Sequence, residues 1–232
     1  MRSHISYAII FALLALGLVG LSAMDLAMRW PLLWLAGNAL WLAIAYAINK
    51  PDMLGKKANG SMRPVAVVLL LPYFLLTWIT WHLVRLLKPQ GDSHEVTPGL
   101  WLGRRPLKRD IPPEVKRIVD LTAEFPAARS IPGQYDYHTL PILDAQATSD
   151  ARLAELARRI AADRTPILIH CASGHGRSAM LMACVLVLRG DQPSLDAAID
   201  HLGSLRPGVK LNKDQRNTAS RLLAGAGPDS SL

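Results

Sequence analysis

The stretch that most constrains this chain is His170-Cys171-Ala172-Ser173-Gly174-His175-Gly176-Arg177-Ser178-Ala179-Met180. A short apolar run, Ile167-Leu168-Ile169, precedes it, and a helix-like run from Leu181 to Leu188 follows. Strand, glycine-rich turn and helix, in that order, aim backbone N–H groups and a helix N-terminus at an anion. Five residues separate the cysteine from the arginine, so the turn can curl a thiol and a guanidinium around one tetrahedral oxyanion.

Each residue type has a use in such a turn. The N–H groups of Ala172, Ser173, Gly174, His175, Gly176 and Arg177 suit the non-bridging oxygens of a phosphate monoester. Arg177 adds a planar fork that matches two of those oxygens. The same field favours a thiolate at Cys171, and the thiolate, not the thiol, is the nucleophile. Gly174 and Gly176 allow positive φ and close backbone approach. The Ser178 hydroxyl can reach the sulfur and ease its departure from a thiophosphate. His170 orients the loop from behind through backbone hydrogen bonds.

His-Cys-x-x-Gly-x-x-Arg-Ser resembles the signature of the cysteine-based protein tyrosine and dual-specificity phosphatases. The resemblance implies an α/β domain with a central sheet flanked by helices, a phosphocysteine intermediate, and no metal or organic cofactor. Val96 to Gly103 looks like that family's opening strand, Lys116 to Thr122 like its next strand, and Tyr137 to Ile142 is a third candidate. Helices are expected over Ser149–Ala162, from Ser194 to Leu202, and from an Asn212-x-x-Gln215 capping box to about Leu223. A sulfurtransferase loop is one residue tighter before its arginine. Arsenate reductases and low-molecular-weight phosphatases carry theirs near the domain start, whereas here it lies about 75 residues in.

Breaking a phosphate ester needs a proton for the leaving oxygen. Leu140 to Asp150 joins a strand to a helix, and the family carries its acid in a similar position, some 30 residues before the cysteine. Asp144 lies 27 before Cys171 and is the preferred general acid. Asp150, placed as a helix N-cap, and Asp136, placed in a turn, are its rivals. Gln215 is assigned to capping, with positioning of water as its other reading.

The remaining apolar excess is concentrated upstream. Ile5 to Met24 has no charge and is long enough to cross ~30 Å of hydrocarbon at ~1.5 Å per residue. Residues 20–24 make a poor cleavage site, so the segment reads as a retained helix. Residues 32–48, with Trp30, Trp34 and Tyr46 as interface anchors, and residues 65–87, kinked at Pro72, complete an expected three-helix membrane anchor over 1–88. A linker over 89–94, a phosphatase domain over 95–223 and a tail over 224–232 follow.

Three spans put the N-terminus and the catalytic domain on opposite faces. Lys/Arg near the ends then tie: Arg2, Lys50, Lys56, Lys57 and Arg63 on one side, Arg29, Arg85, Lys88, Arg104 and Arg105 on the other. A reactive thiol favours a reducing compartment, hence an inner-membrane protein with its catalytic domain on the cytoplasmic side. Residues 1–90 hold eight Lys and Arg against two acids, and the rest eighteen against sixteen. That distribution suits anionic lipid headgroups and not nucleic acid. Cys184, the second of two cysteines, falls inside the apolar helix and reads as a buried small hydrophobe. No pattern specifies an oligomer.

Inositol-lipid phosphatases often carry loop lysines where this chain has Ala172 and His175, so a single phosphate monoester is expected. The candidate substrates are a phospholipid such as phosphatidylglycerophosphate, on which some phosphatases of this superfamily act, and a phosphorylated protein. A catalytically silent phosphate-binding module at the membrane is the alternative. Asp144→Asn is expected to slow alkyl phosphate esters by roughly 10²–10⁴, the range for lost acid–base catalysis, and aryl esters much less. Steady-state rates on the two ester types check this, and equal losses would remove Asp144 from the acid's role.

Overall fold

The computed structural model describes residues 3–24, 26–87, 91–128 and 131–225. The expected tail beyond 225, Lys88 at the end of the expected anchor and the first part of the expected linker, 89–90, lie outside the described residues, as do Arg2 and Asp25.

The apolar half begins with α1 (Ser3–Met24) and α2 (Arg29–Ala47), packed together as a hairpin. Both are long and apolar enough to cross a membrane, with mean hydropathy 2.3 for Ile5–Met24 and 1.3 for Arg29–Ala47. α2 starts three residues earlier than expected, because proline is tolerated in a helix's first turn, where its missing N–H has no partner to lose.

The single helix expected over 65–87 is instead two, α3 (Pro64–Leu69) and α4 (Leu71–Leu87). Pro72 has no N–H to give to the carbonyl four residues back, so the ladder stops rather than merely bending. The Leu69 carbonyl, at the end of α3, accepts from Trp34 Nε1 and Asn38 Nδ2, each at 2.9 Å, and both donors lie on α2.

The second half is an α/β domain. Its strands are β1 (Ser93–Thr97), β2 (Leu100–Arg104), β3 (Arg117–Thr122), β4 (Asp136–Ile142) and β5 (Ile167–Cys171), ordered β1-β2-β5-β3-β4. β1 and β2 are antiparallel and the other pairs parallel. The expected single opening strand is therefore a hairpin, turned at Gly99 with φ +81. It begins at Ser93, inside the expected linker.

Alternation along β5 sorts the faces. Ile167, Ile169 and Cys171 join the main core with Val119 and Leu121, against α5 (Asp150–Ala162), α6 (Arg177–Arg189), α7 (Leu195–Leu205) and α8 (Lys213–Ala224). Leu168 and Ile118 face the other way, onto Ile111, Val115 and Ile131. α6 is the central helix, with every residue from Arg177 to Leu186 buried, and it packs against α5, α7 and α8. The N-cap of α5 is Ser149, so Asp150 is its first residue and not the cap. Ser194 caps α7, and Asn212 and Gln215 form the reciprocal box at α8.

The two halves share a core. Leu42, Ala45 and Tyr46 of α2, Leu54 of the loop after it, Leu70 between α3 and α4, and Phe74 of α4 bury against Ala123 and Leu143, just past the C-terminal ends of β3 and β4. The loop after α2 goes further. Lys56 is wholly buried, its Nζ 2.7 Å from Asp120 Oδ2, 2.7 Å from the Thr122 carbonyl and 2.9 Å from Thr122 Oγ1. Burial pushes this ammonium below its ordinary pKa, and the Asp120 carboxylate opposes that. Lys56→Met leaves Asp120 buried without its cation and is expected to cost about 3–5 kcal/mol. Adding Asp120→Asn should recover most of the loss, as measured by denaturant unfolding of the full chain in detergent.

Candidate active site

The turn between β5 and α6 occupies the carboxyl end of the parallel strands, where open α/β sheets place their ligands. Its carbonyls are turned outward. That of Ala172 accepts from Trp81 Nε1 at 2.9 Å and from the Arg105 amide at 3.3 Å. That of Ser173 accepts from Arg206 at 2.8 Å, and that of His175 from the Lys210 amide at 3.1 Å. A trans peptide points its N–H opposite its C=O, so the amides of Ser173, Gly174 and Gly176 face the inside of the turn. The Gly174 amide lies 3.2 Å from Cys171 Sγ. Gly174 has φ +81, and a Cβ there would sit 2.7 Å from the Gly103 backbone, so glycine is required on both counts.

Cys171 is buried, and its Sγ is also 3.2 Å from Ser178 Oγ. Both partners can hydrogen-bond a sulfur anion, which is what a departing thiolate needs. His170 is buried behind the loop, with Nδ1 3.4 Å from the Cys171 carbonyl and 4.0 Å from Asp120 Oδ1. Burial pushes its pKa down to about 4 against the opposing pull of Asp120, so its imidazole is neutral at pH 7. Cys184 is buried in α6, and burial raises its thiol to about 12.

Arg177 departs from the sequence reading. Its fork does not open onto the turn: Nη1 and Nη2 donate to Glu124 at 2.9 and 2.7 Å, and Nη1 also to the Ile142 carbonyl at 2.8 Å. A buried guanidinium must be paired, and Glu124 supplies the planar match. Burial disfavours the charge, but Glu124 and then Asp144 hold the pKa well above its ordinary value. Nε is buried without a partner, which leaves that edge of the guanidinium for an oxyanion.

Asp144 is 67% exposed, and its Oδ1 lies 3.0 Å from Arg177 Nη2. Ala145 follows it with φ +56, a left-handed turn that swings the loop away from β4. Asn212 Nδ2 donates to the Ala145 carbonyl at 2.6 Å and Gln215 Nε2 to the Gln146 carbonyl at 3.1 Å, so the start of α8 holds this loop. Asp144, Cys171, Ser173, Gly176, Arg177 and Gln215 line one cavity of about 260 Å³. Gln215 therefore both caps α8 and faces the cavity. Asp136 is elsewhere, paired with Arg117 and His138.

Four residues here were not singled out from sequence. Glu124 had a signal, as a lone carboxylate in the apolar run Leu121 to Phe125 that must find a cation. Lys210, exposed at the cavity, follows a Pro-Gly turn and carries no local mark. Lys56 and Trp81 come from the apolar half, more than sixty residues from their partners. Among the described residues no group of three or more His, Cys, Asp and Glu is placed to hold a metal.

A cysteine-bearing turn with outward carbonyls, an arginine at its end and a carboxylate across the cavity is the arrangement of a dual-specificity-type phosphatase domain. Residues 107–223 match the PTP-SAK family, described as Swiss Army Knife protein, DSP-PTPase phosphatase domain, and the chain belongs to that family. Solved structures of similar fold include the human tyrosine phosphatase-like serine/threonine/tyrosine-interacting protein (16% identity, TM-score 0.51, covering 59% of this chain and 99% of that one). Human DUSP28 (19%, 0.50, 59% and 96%) and a mouse putative dual specificity phosphatase (20%, 0.50, 59% and 89%) are others. No curated protein matches the chain in sequence.

A histidine kept neutral by burial makes stability pH-dependent. The unfolded chain protonates His170 near 6.5 and the folded chain only near 4, so the unfolded state binds more protons between those values. Stability is therefore expected to fall by up to ~3 kcal/mol as pH drops through that window. His170→Gln should shrink the slope in denaturant titrations. The remainder would come from His94, lowered by burial and by Arg206.

Proposed function

We propose that this chain is a membrane-bound phosphatase that hydrolyses phosphate monoesters through a cysteinyl phosphate on Cys171. The carrying observation is the placement of Cys171 Sγ, 3.2 Å from both the Gly174 amide and Ser178 Oγ and in one cavity with Asp144. Sγ attacks phosphorus, forming the P–S bond as the P–O bond to the leaving group breaks. Asp144 gives its proton to that oxygen. Amides of the 172–177 turn and the Nε edge of Arg177 hold the non-bridging oxygens as charge develops on them. Asp144, now a carboxylate, takes a proton from water. The water oxygen attacks phosphorus, inorganic phosphate leaves, and the thiolate returns to its hydrogen bonds with Ser178 and Gly174. A silent phosphate-binding module would have no use for Asp144 or Ser178 in these positions.

A lipid phosphate such as phosphatidylglycerophosphate is the favoured substrate. The loop bearing Asp144 is held at the end of α2, where Asn49 Nδ2 donates to the Ala147 carbonyl at 2.8 Å and Leu143 packs with Leu42 and Tyr46. The Asp144 wall of the cavity is therefore held by the end of an apolar helix long enough to cross a bilayer, and a domain kept so near a membrane meets lipid headgroups at high local concentration. Lys210 adds a cation at its rim. A phosphorylated membrane protein is the second reading, since the loop chemistry serves both.

Phosphate release by the full chain in detergent, with Cys171→Ser as blank, tests the reading. Phosphatidylglycerophosphate and a phosphotyrosine peptide are supplied side by side. We expect turnover of both, faster on the lipid. Preference for the peptide would assign a tethered protein phosphatase, and phosphate binding without turnover would assign the silent module.

A further inference from the structure

α4 has two apolar faces with different partners. One stripe, Phe74, Trp78, Trp81 and Arg85, lies along the α/β domain. Phe74 is buried with Ala123 and Leu143. Trp78 Nε1 donates to the Glu124 carbonyl at 3.0 Å, and Trp81 Nε1 to the Ala172 carbonyl at 2.9 Å. Arg85 pairs with Asp92 and Asp110. The other stripe, Leu75, Leu76, Ile79, Leu83, Leu86 and Leu87, is exposed, from 45% at Leu75 to 78% at Leu87.

These contacts run nearly the length of a 17-residue helix, about 25 Å at 1.5 Å per residue. If α4 crossed the hydrocarbon, Asp92, Asp110, Arg105 and the Cys171 loop would have to enter it too, at several kcal/mol for each charge. α1 and α2 behave otherwise. They meet the domain's core near one end only, through Tyr7 and Phe11 of α1 and Leu42 to Tyr46 of α2, and most of α1 is exposed.

The break before α4 fits the same geometry. The Leu69 carbonyl lies against Trp34 and Asn38, well along α2 from its domain end. The loop leading into α3 lies against the domain, where the Gly60 carbonyl accepts from the Ala127 amide at 2.8 Å. α3 thus descends beside α2, and α4 returns. Irregular backbone at membrane depth is tolerated only where its polar groups are satisfied, and here α2 satisfies the carbonyl at the break.

We propose that α3 and α4 enter and leave the bilayer on one face, with the Leu75–Leu87 stripe of α4 lying on lipid, and that the chain crosses the membrane only as the α1–α2 hairpin. This rests on the membrane reading above. The occupant of the stripe is lipid because the exposed apolar surface continues from α2 (Trp30, Trp34, Trp41) through α3 (Val65, Val68, Leu69) to α4. The N-terminus and the α/β domain then share a face, and the Lys/Arg tie is broken. Lys50, Lys56, Lys57, Arg63 and Arg85 lie on the domain's side, against Arg29 on the other. That asymmetry places the active site in the cytoplasm.

The test uses the full chain in inner-membrane vesicles of a bacterial host, in a Cys171→Ser, Cys184→Ala background. Single cysteines are introduced as Met28→Cys, Lys57→Cys and Arg109→Cys and labelled with an impermeant maleimide in right-side-out and inside-out preparations. The expected result is Lys57→Cys and Arg109→Cys labelled only in inside-out vesicles, and Met28→Cys only in right-side-out ones. Lys57→Cys and Arg109→Cys labelled from opposite sides would restore three spans and overturn the proposal. A fluorophore attached through Leu83→Cys should be quenched several-fold by brominated lipids. No quenching, with the chain still in the membrane, would put the α4 stripe in water and overturn it as well. Loss of the chain from carbonate-washed membranes is the separate outcome that sinks the membrane reading itself.

Discussion

The Arg177 guanidinium is fully buried, and the site is built around satisfying it. A cation taken out of water must be met by an anion with matching geometry, or it costs more than the fold can spare. Glu124 meets it with two oxygens, Ile142 with a carbonyl and Asp144 with a third carboxylate oxygen. These partners sit just after β3, at the end of β4 and in the loop beyond it. One side chain therefore fixes the relative positions of the Cys171 turn, the Asp144 loop and the neighbouring strand end. What remains unmatched, Nε, is the part an oxyanion can use.

The same logic reaches into the apolar half. Glu124 carries the charge that holds Arg177, and its own carbonyl accepts from Trp78. The Ala172 carbonyl, which must point outward for the amides to point inward, accepts from Trp81, while Arg105 stacks over that indole at 5.2 Å. Asp120 lies beside His170 across the β3–β5 pair and takes its cation, Lys56, from the loop after α2. Each is a buried polar group of the α/β domain whose partner comes from the first 87 residues.

Local features were legible in the sequence. The β5–turn–α6 unit follows from an apolar run, two glycines and a long apolar helix, all within about twenty residues, and the α8 capping box from a spacing of three. Cys171 and Ser178 were placed together by the same short range, and the family match bears out the fold class. Pairings across long separations were not legible. Glu124 and Arg177 are 53 residues apart and Lys56 and Asp120 are 64, and nothing near Lys56 distinguishes it from the solvated Lys57. The fork of Arg177 reads from the sequence as a substrate ligand, whereas in the fold its Nη donors are taken by Glu124, the Ile142 carbonyl and Asp144, residues 33 to 53 positions away. Pro72 was visible, but the outcome of a break rather than a kink depended on Trp34 and Asn38 being there to receive the Leu69 carbonyl.

An anchor that served only as an address would not need those contacts. A flexible tether leaves the domain's polar groups to be satisfied within the domain. Here the Cys171 turn, the Arg177 partner Glu124 and the Asp144 loop each take a hydrogen bond from the apolar half, through Trp81, Trp78 and Asn49. Removing the apolar half would take Trp78 from the Glu124 carbonyl, Asn49 from the Ala147 carbonyl and Lys56 from Asp120, and would leave the Ala172 carbonyl with the Arg105 amide alone. The geometry that aims the amides of the turn at an oxyanion is therefore set partly by residues outside the matched phosphatase domain. Packing of the apolar helices and the shape of the Cys171 turn are one property of this chain.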